Sequence, residues 1–105
     1  CQIFANEGDV FFVAELGNKN GRFPWQPKPD QPTGGRVSIF DPDGRLLSRW
    51  GGGLDARQTD GFYACHDICV DSQGSIYVGE VAVTAATAAG EDATGLPTLR
   101  KFVRV

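Results

Sequence analysis

The sequence predicts an all-β protein built of short antiparallel strands. Apolar and β-branched residues come in short runs bounded by turn signals. The 14 Gly and 6 Pro are spread along the chain, so turns recur at short intervals. No amphipathic helical period persists anywhere along the 105 residues.

The elements follow in order. "QIFA" (2–5) is a short apolar strand and "NEGD" after it is a turn. "VFFVAEL" (10–16) is rich in β-branched and aromatic residues and reads as a strand. Residues 17–35, "GNKNGRFPWQPKPDQPTGG", hold four Pro and form a long loop. "RVSIF" (36–40), the turn "DPDG" and "RLLSRW" (45–50) make a hairpin; Asp first, Pro second and Gly fourth fit a type I turn. After the glycine-rich stretch 51–61, "DICV" (67–70) is a strand, "DSQG" a second turn of the Asp-x-x-Gly kind, and "SIYVGEV" (75–81) a strand. The Ala-rich stretch 82–97 is a loop with room for a short helical turn. "LRKFVRV" (99–105) is the last strand.

The pattern restarts. A shift of 65 residues places Ile3 on Ile68, Phe12 on Tyr77, Val13 on Val78 and Glu15 on Glu80. The turns fall one position out of step, since Gly8 lands on Gln73. One unit of four strands is thus followed by one of three. Four-stranded units in tandem are the blades of a β-propeller; the competing explanation is chance similarity within a β-sandwich. The expected division is a blade over 1–61, carrying the Pro-rich loop 17–35, and a second, incomplete blade over 62–105.

A net charge of −3 with no Lys/Arg cluster argues against a nucleic-acid-binding surface. No apolar run approaches the ~20 residues of a membrane span. A chain that lacks Met and opens at Cys1 is expected to be processed or a piece of something longer. Cys65 and Cys69, four apart in a strand, would lie roughly 13 Å apart, too far to bridge each other. Cys1 could pair with one of them, or all three could be small buried side chains, and the second arrangement is expected.

The stretches "GDVFFVAEL…GRVSIFDPDGRLLSRWGG" and "GGG…GFYACHDICVDSQGSIYVGEV…LRKFVRV" resemble NHL repeats, which build six-bladed propellers. The likeness spans nearly the whole chain outside the two long loops. It implies two blades of such a ring, acting as a binding or assembly module. The chain would be a fragment of a larger propeller or a subunit of an oligomeric one. Its partners would be its own copies or the missing blades of a larger polypeptide, and a small peptide is a candidate ligand. NHL propellers include enzymes and scaffolds alike, so enzymatic activity stays open.

One branch is closer. His66-Asp67-Ile68 matches the triplet that opens the last blade of peptidyl-hydroxyglycine amidating lyases. By that resemblance His66 would bind zinc and Asp67 calcium, and the activity would cleave a peptidyl-hydroxyglycine to a peptide amide and glyoxylate. An extracellular or periplasmic setting is implied in the same way. Two positions depart from the pattern. Cys1 falls where the preceding lyase blade has a zinc-binding His, and Leu16 stands where those enzymes carry a catalytic Arg.

In a propeller the start of an inner strand faces one end of the channel. His66 and the loops 17–35 and 82–97 should therefore converge on one face, where function tends to lie. The plainer alternatives are that His66 bonds backbone at a blade junction and that Asp67 bonds nearby amides. Glu15 and Glu80, at matching strand ends, could bind a cation or accept from backbone N–H. Arg22, Phe23 and Trp25 could form a ligand platform on the same face, or the loop could fold its aromatics onto the blade. Trp50 is expected to pack between blades.

Overall fold

The computed structural model describes residues 2–6, 8–19 and 27–103. The chain is mostly β, with seven strands and one short helix among those residues. Strands β1 (Gln2–Ala5), β2 (Phe11–Glu15), β3 (Arg36–Phe40) and β4 (Leu46–Gly51) form an antiparallel sheet in that order. Strands β5 (Cys65–Val70), β6 (Ile76–Glu80) and β7 (Leu99–Phe102) form a second, three-stranded one. Strand β5 starts two residues ahead of the expected "DICV", and β7 closes at Phe102. No helix is long and apolar enough to cross a membrane among the described residues.

The 65-residue shift is written into the hydrogen-bond ladder. In the first sheet Gln2, Ile3, Phe4 and Ala5 face Ala14, Val13, Phe12 and Phe11. In the second, Asp67, Ile68, Cys69 and Val70 face Gly79, Val78, Tyr77 and Ile76. Each pair in one sheet is the shifted copy of a pair in the other. The turns match as well. Asn6 Oδ1 accepts from the Gly8 and Val10 amides, and Asp71 Oδ1 from the Gln73 and Ser75 amides. The apparent slip at Gly8 is resolved by Asp9, which takes the left-handed φ of 58° where its counterpart Gly74 has 84°. An aspartate tolerates that region better than most side chains.

Side chains alternate across a strand, so each sheet has two faces. A front face carries Ile3, Val13, Glu15 and Ser38 in the first sheet, and Ile68, Val78, Glu80 and Arg100 in the second. A back face carries Phe4, Phe12, Ala14 and Val37 in the first, and Cys69, Tyr77, Gly79 and Leu99 in the second. The core lies where the back of the first sheet meets the front of the second: Phe12, Ala14 and Val37 pack with Ile68, Val78, Phe62 and Cys65. The sheets stack front to back, not front to front. Trp50 of β4 lies edge-on to Phe102 of β7, ring centroids 5.3 Å apart, and so packs between the sheets as expected.

The Ala-rich stretch forms helix α1 (Ala82–Ala88), longer than the expected turn. Alanine favours helix, and the burial of Ala82 and Ala86 beside Tyr63, Ala64 and Leu96 adds tertiary support. Cys65 is buried but Cys69 is exposed, and both thiols are free. That corrects the expectation of uniformly buried cysteines: Cys69 lies on the uncovered back of the second sheet.

Candidate functional site at the loop end

All three long connections leave the sheets at the end where β5 begins, because an up-and-down strand order returns every second connection to the same side. The loop after β2 is pinned at its base by Asn18 pairing with Thr33. Gly35 donates its amide to the Phe62 carbonyl, joining that loop to the segment leading into β5. A Cβ on Gly35 would lie 2.8 Å from the Cys65 nitrogen, so only glycine allows this approach. The start of loop 17–35 also meets the stretch after helix α1. Lys19 Nζ is 3.2 Å from Glu91 Oε2 and 4.7 Å from the centre of the Tyr63 ring. The Tyr63 hydroxyl donates to the same Glu91 oxygen at 3.0 Å.

Glu80 organises the floor of this end. Its side chain is 1% exposed. Oε1 accepts from the Tyr63 and Ala64 amides at 2.7 and 3.2 Å, and Oε2 from Arg100 Nε at 3.0 Å. Arg100 also donates to the carbonyls of Ala56, Gln58 and Thr59. Arg57 donates to the Asp92 and Thr94 carbonyls, tying the two neighbouring loops together. Glu80 therefore has the backbone-accepting role expected of it. Glu15, its counterpart, accepts instead from Arg36 at 2.9 Å and from the Ser38 hydroxyl. Partial burial pushes the Glu15 carboxyl up, but those hydrogen bonds and the Arg36 and Arg49 charges outweigh it, and its pKa ends below the ordinary value.

His66 sits at the irregularity in the β5–β6 ladder, between Cys65, which faces Glu80, and Asp67, which faces Gly79. A bulge of this kind re-aims a side chain, and His66 is exposed. Asp67 is exposed too, and its Oδ1 accepts from the Ile68 amide at 2.8 Å. Among the described residues no three His, Cys, Asp or Glu side chains gather as a metal cluster. One chain's described donors therefore do not fit a three-imidazole zinc site. Arg22, Phe23 and Trp25 lie outside the described residues.

An open groove lies at the other end. It measures about 510 Å³ and runs between the turns after β1 and β5, with Phe4, Asn6, Val70 and Asp71 among its lining. The carboxylate of Asp71 is already engaged there, by two amides and by the Tyr77 hydroxyl at 3.0 Å.

Lys19, Tyr63, Glu91 and Arg100 were not singled out by sequence reasoning. Their partners lie far along the chain, 72 residues away for Lys19 with Glu91, and no local pattern announces such a pairing. Compared with known proteins, the chain matches no family model, no curated protein and no solved structure.

Proposed function

We propose that the chain is a propeller-type binding or assembly module whose sheets are stacking units, with NHL-like blades as the nearest pattern. The observation that carries this reading is the ladder itself: two sheets with the same pairing at a 65-residue shift, packed front to back. Repeated sheets stacked in one sense are the building principle of a propeller, and a stack of two leaves one front and one back face uncovered. The module works by having those faces covered, by copies of itself or by the missing blades of a larger polypeptide. The loop end, where His66 is exposed at the start of β5, is the face it would offer a small peptide.

Light scattering across a range of concentration tests the module. A mass above one chain supports it, whether the added mass is more copies or a second polypeptide retained through purification. A dispersed single chain at high concentration overturns it.

The second reading is a zinc-dependent, amidating-lyase-like activity with calcium at Asp67. It is favoured by one observation, the exposure of His66 and Asp67 at the loop end. Any zinc there would need donors beyond the described residues of one chain. Stoichiometric zinc, lost in His66→Ala with the solution mass unchanged, supports this reading; zinc retained in that variant removes His66 from it.

A further inference from the structure

Two pairs of residues hold the same place in the two sheets and differ sharply in exposure. Ile68, on the front of the second sheet, is 3% exposed; its counterpart Ile3 is 63% exposed. Val37, on the back of the first sheet, is fully buried; Leu99, which faces Gly79 as Val37 faces Ala14, is 68% exposed. The buried member of each pair lies inside the stack and the exposed member outside it. Among the described residues one front face and one back face are thus left free, and the packed interior shows how a front and a back fit together.

We infer that the free front of the first sheet docks on the free back of the second sheet of another copy, in the same front-to-back sense as the sheets pack within the chain. This rests on the module reading above and names its partner. Removing a large aliphatic side chain from water is favourable, so both Ile3 and Leu99 favour such a contact. The contact is heterologous, so it propagates head to tail and closes into a ring or continues as a filament. It also places Cys69 against a neighbour. Within the chain, Phe4 of the back face and Val70 of the front face line the same groove between the sheets. Their counterparts at the 65-residue shift are Cys69 and Ala5, so Cys69 of one copy lies beside Ala5 of the next.

The test uses the full chain carrying Ala5→Cys and a short thiol–thiol cross-linker. A ladder of cross-linked species that disappears when Cys69→Ser is added supports the docking. Ile3→Asp should at the same time reduce the solution mass to one chain with strand content unchanged by circular dichroism. No ladder, a ladder indifferent to Cys69→Ser, or an assembly whose mass Ile3→Asp leaves unchanged overturns this docking. An assembly found under those outcomes, or a complex with a different polypeptide, leaves the module reading standing. A wild-type chain that stays single at every concentration sinks both.

Discussion

The two sheets share one ladder and differ in what surrounds it. Glu80 and Glu15 hold the same position at the end of the second strand of each sheet. Glu80 lies inside the stack, bound by two loop amides and one guanidinium. Glu15 lies on the uncovered front face with its side chain 28% exposed, and two arginines and a serine approach it from neighbouring strands. The position specifies a carboxylate, and the environment decides whether it is a structural anchor or a surface ion pair. Arg100 and Ser38 show the same divergence. Both face a valine of the second strand, Val78 and Val13. In the second sheet Arg100 reaches the carboxylate directly. In the first, Arg49 donates to the Ser38 hydroxyl at 2.7 Å, which in turn donates to Glu15.

Removing the guanidinium on each side should separate the two carboxylates most strongly. Arg100→Ala leaves the buried Glu80 carboxylate without its counter-charge and strips three loop carbonyls of a donor. Loss of one partner from a buried pair costs roughly 3–5 kcal/mol. Arg36→Ala removes a half-exposed partner and should cost about 0–1 kcal/mol. Urea denaturation of both variants measures the difference; equal costs would mean that the two carboxylates are not distinguished by burial.

Next in size is the isoleucine pair. Ile68→Ala opens a cavity at the centre of the stack and should cost roughly 2–5 kcal/mol. Ile3→Ala, measured at a concentration low enough for single chains, should stay within about 0.5 kcal/mol of wild type. A large cost for Ile3→Ala in the single chain would show that its front face is already covered.

The cysteines sharpen the contrast by chemistry. Burial, with the Glu80 charge adding to it, pushes the Cys65 thiol up to about 12. Only the thiolate attacks an alkylating reagent, and at pH 8 that leaves about one molecule in ten thousand reactive at Cys65. Iodoacetamide followed by peptide mass analysis should find Cys69 modified and Cys65 modified only after denaturation. Equal labelling of both in the native chain would contradict the burial of Cys65.

The smallest effect is a pH dependence. The folded pKa of Glu15 lies below its ordinary value of 4.5. A carboxylate so depressed contributes stability that is present above the ordinary value and lost as pH falls through the folded one. Glu15→Gln should therefore be less stable than wild type at pH 7, and the gap should close as the pH is lowered below 4.5. A gap that widens on acidification would reverse the sign of this ion pair.

The strands, the tight turns and the repeat were legible in the order of the residues alone. These are local properties: β-branched runs fit a pleated surface, Asp41 and Asp71 bond the amides two and four residues on, and similar residues recur at a fixed spacing. That order also marked Glu15 and Glu80 as equivalents. Tertiary structure alone decided which equivalent is buried, because burial depends on which sheet face meets which. It decided the exposure of Cys69, which shares a strand with buried Ile68 but points to the uncovered side. It turned the Ala-rich stretch into helix α1, since seven alanine-rich residues are too few to hold a helix without packing. And it gathered Lys19, Tyr63 and Glu91, because a contact between residues far apart in the chain exists only once the connections of both sheets have been brought to one end.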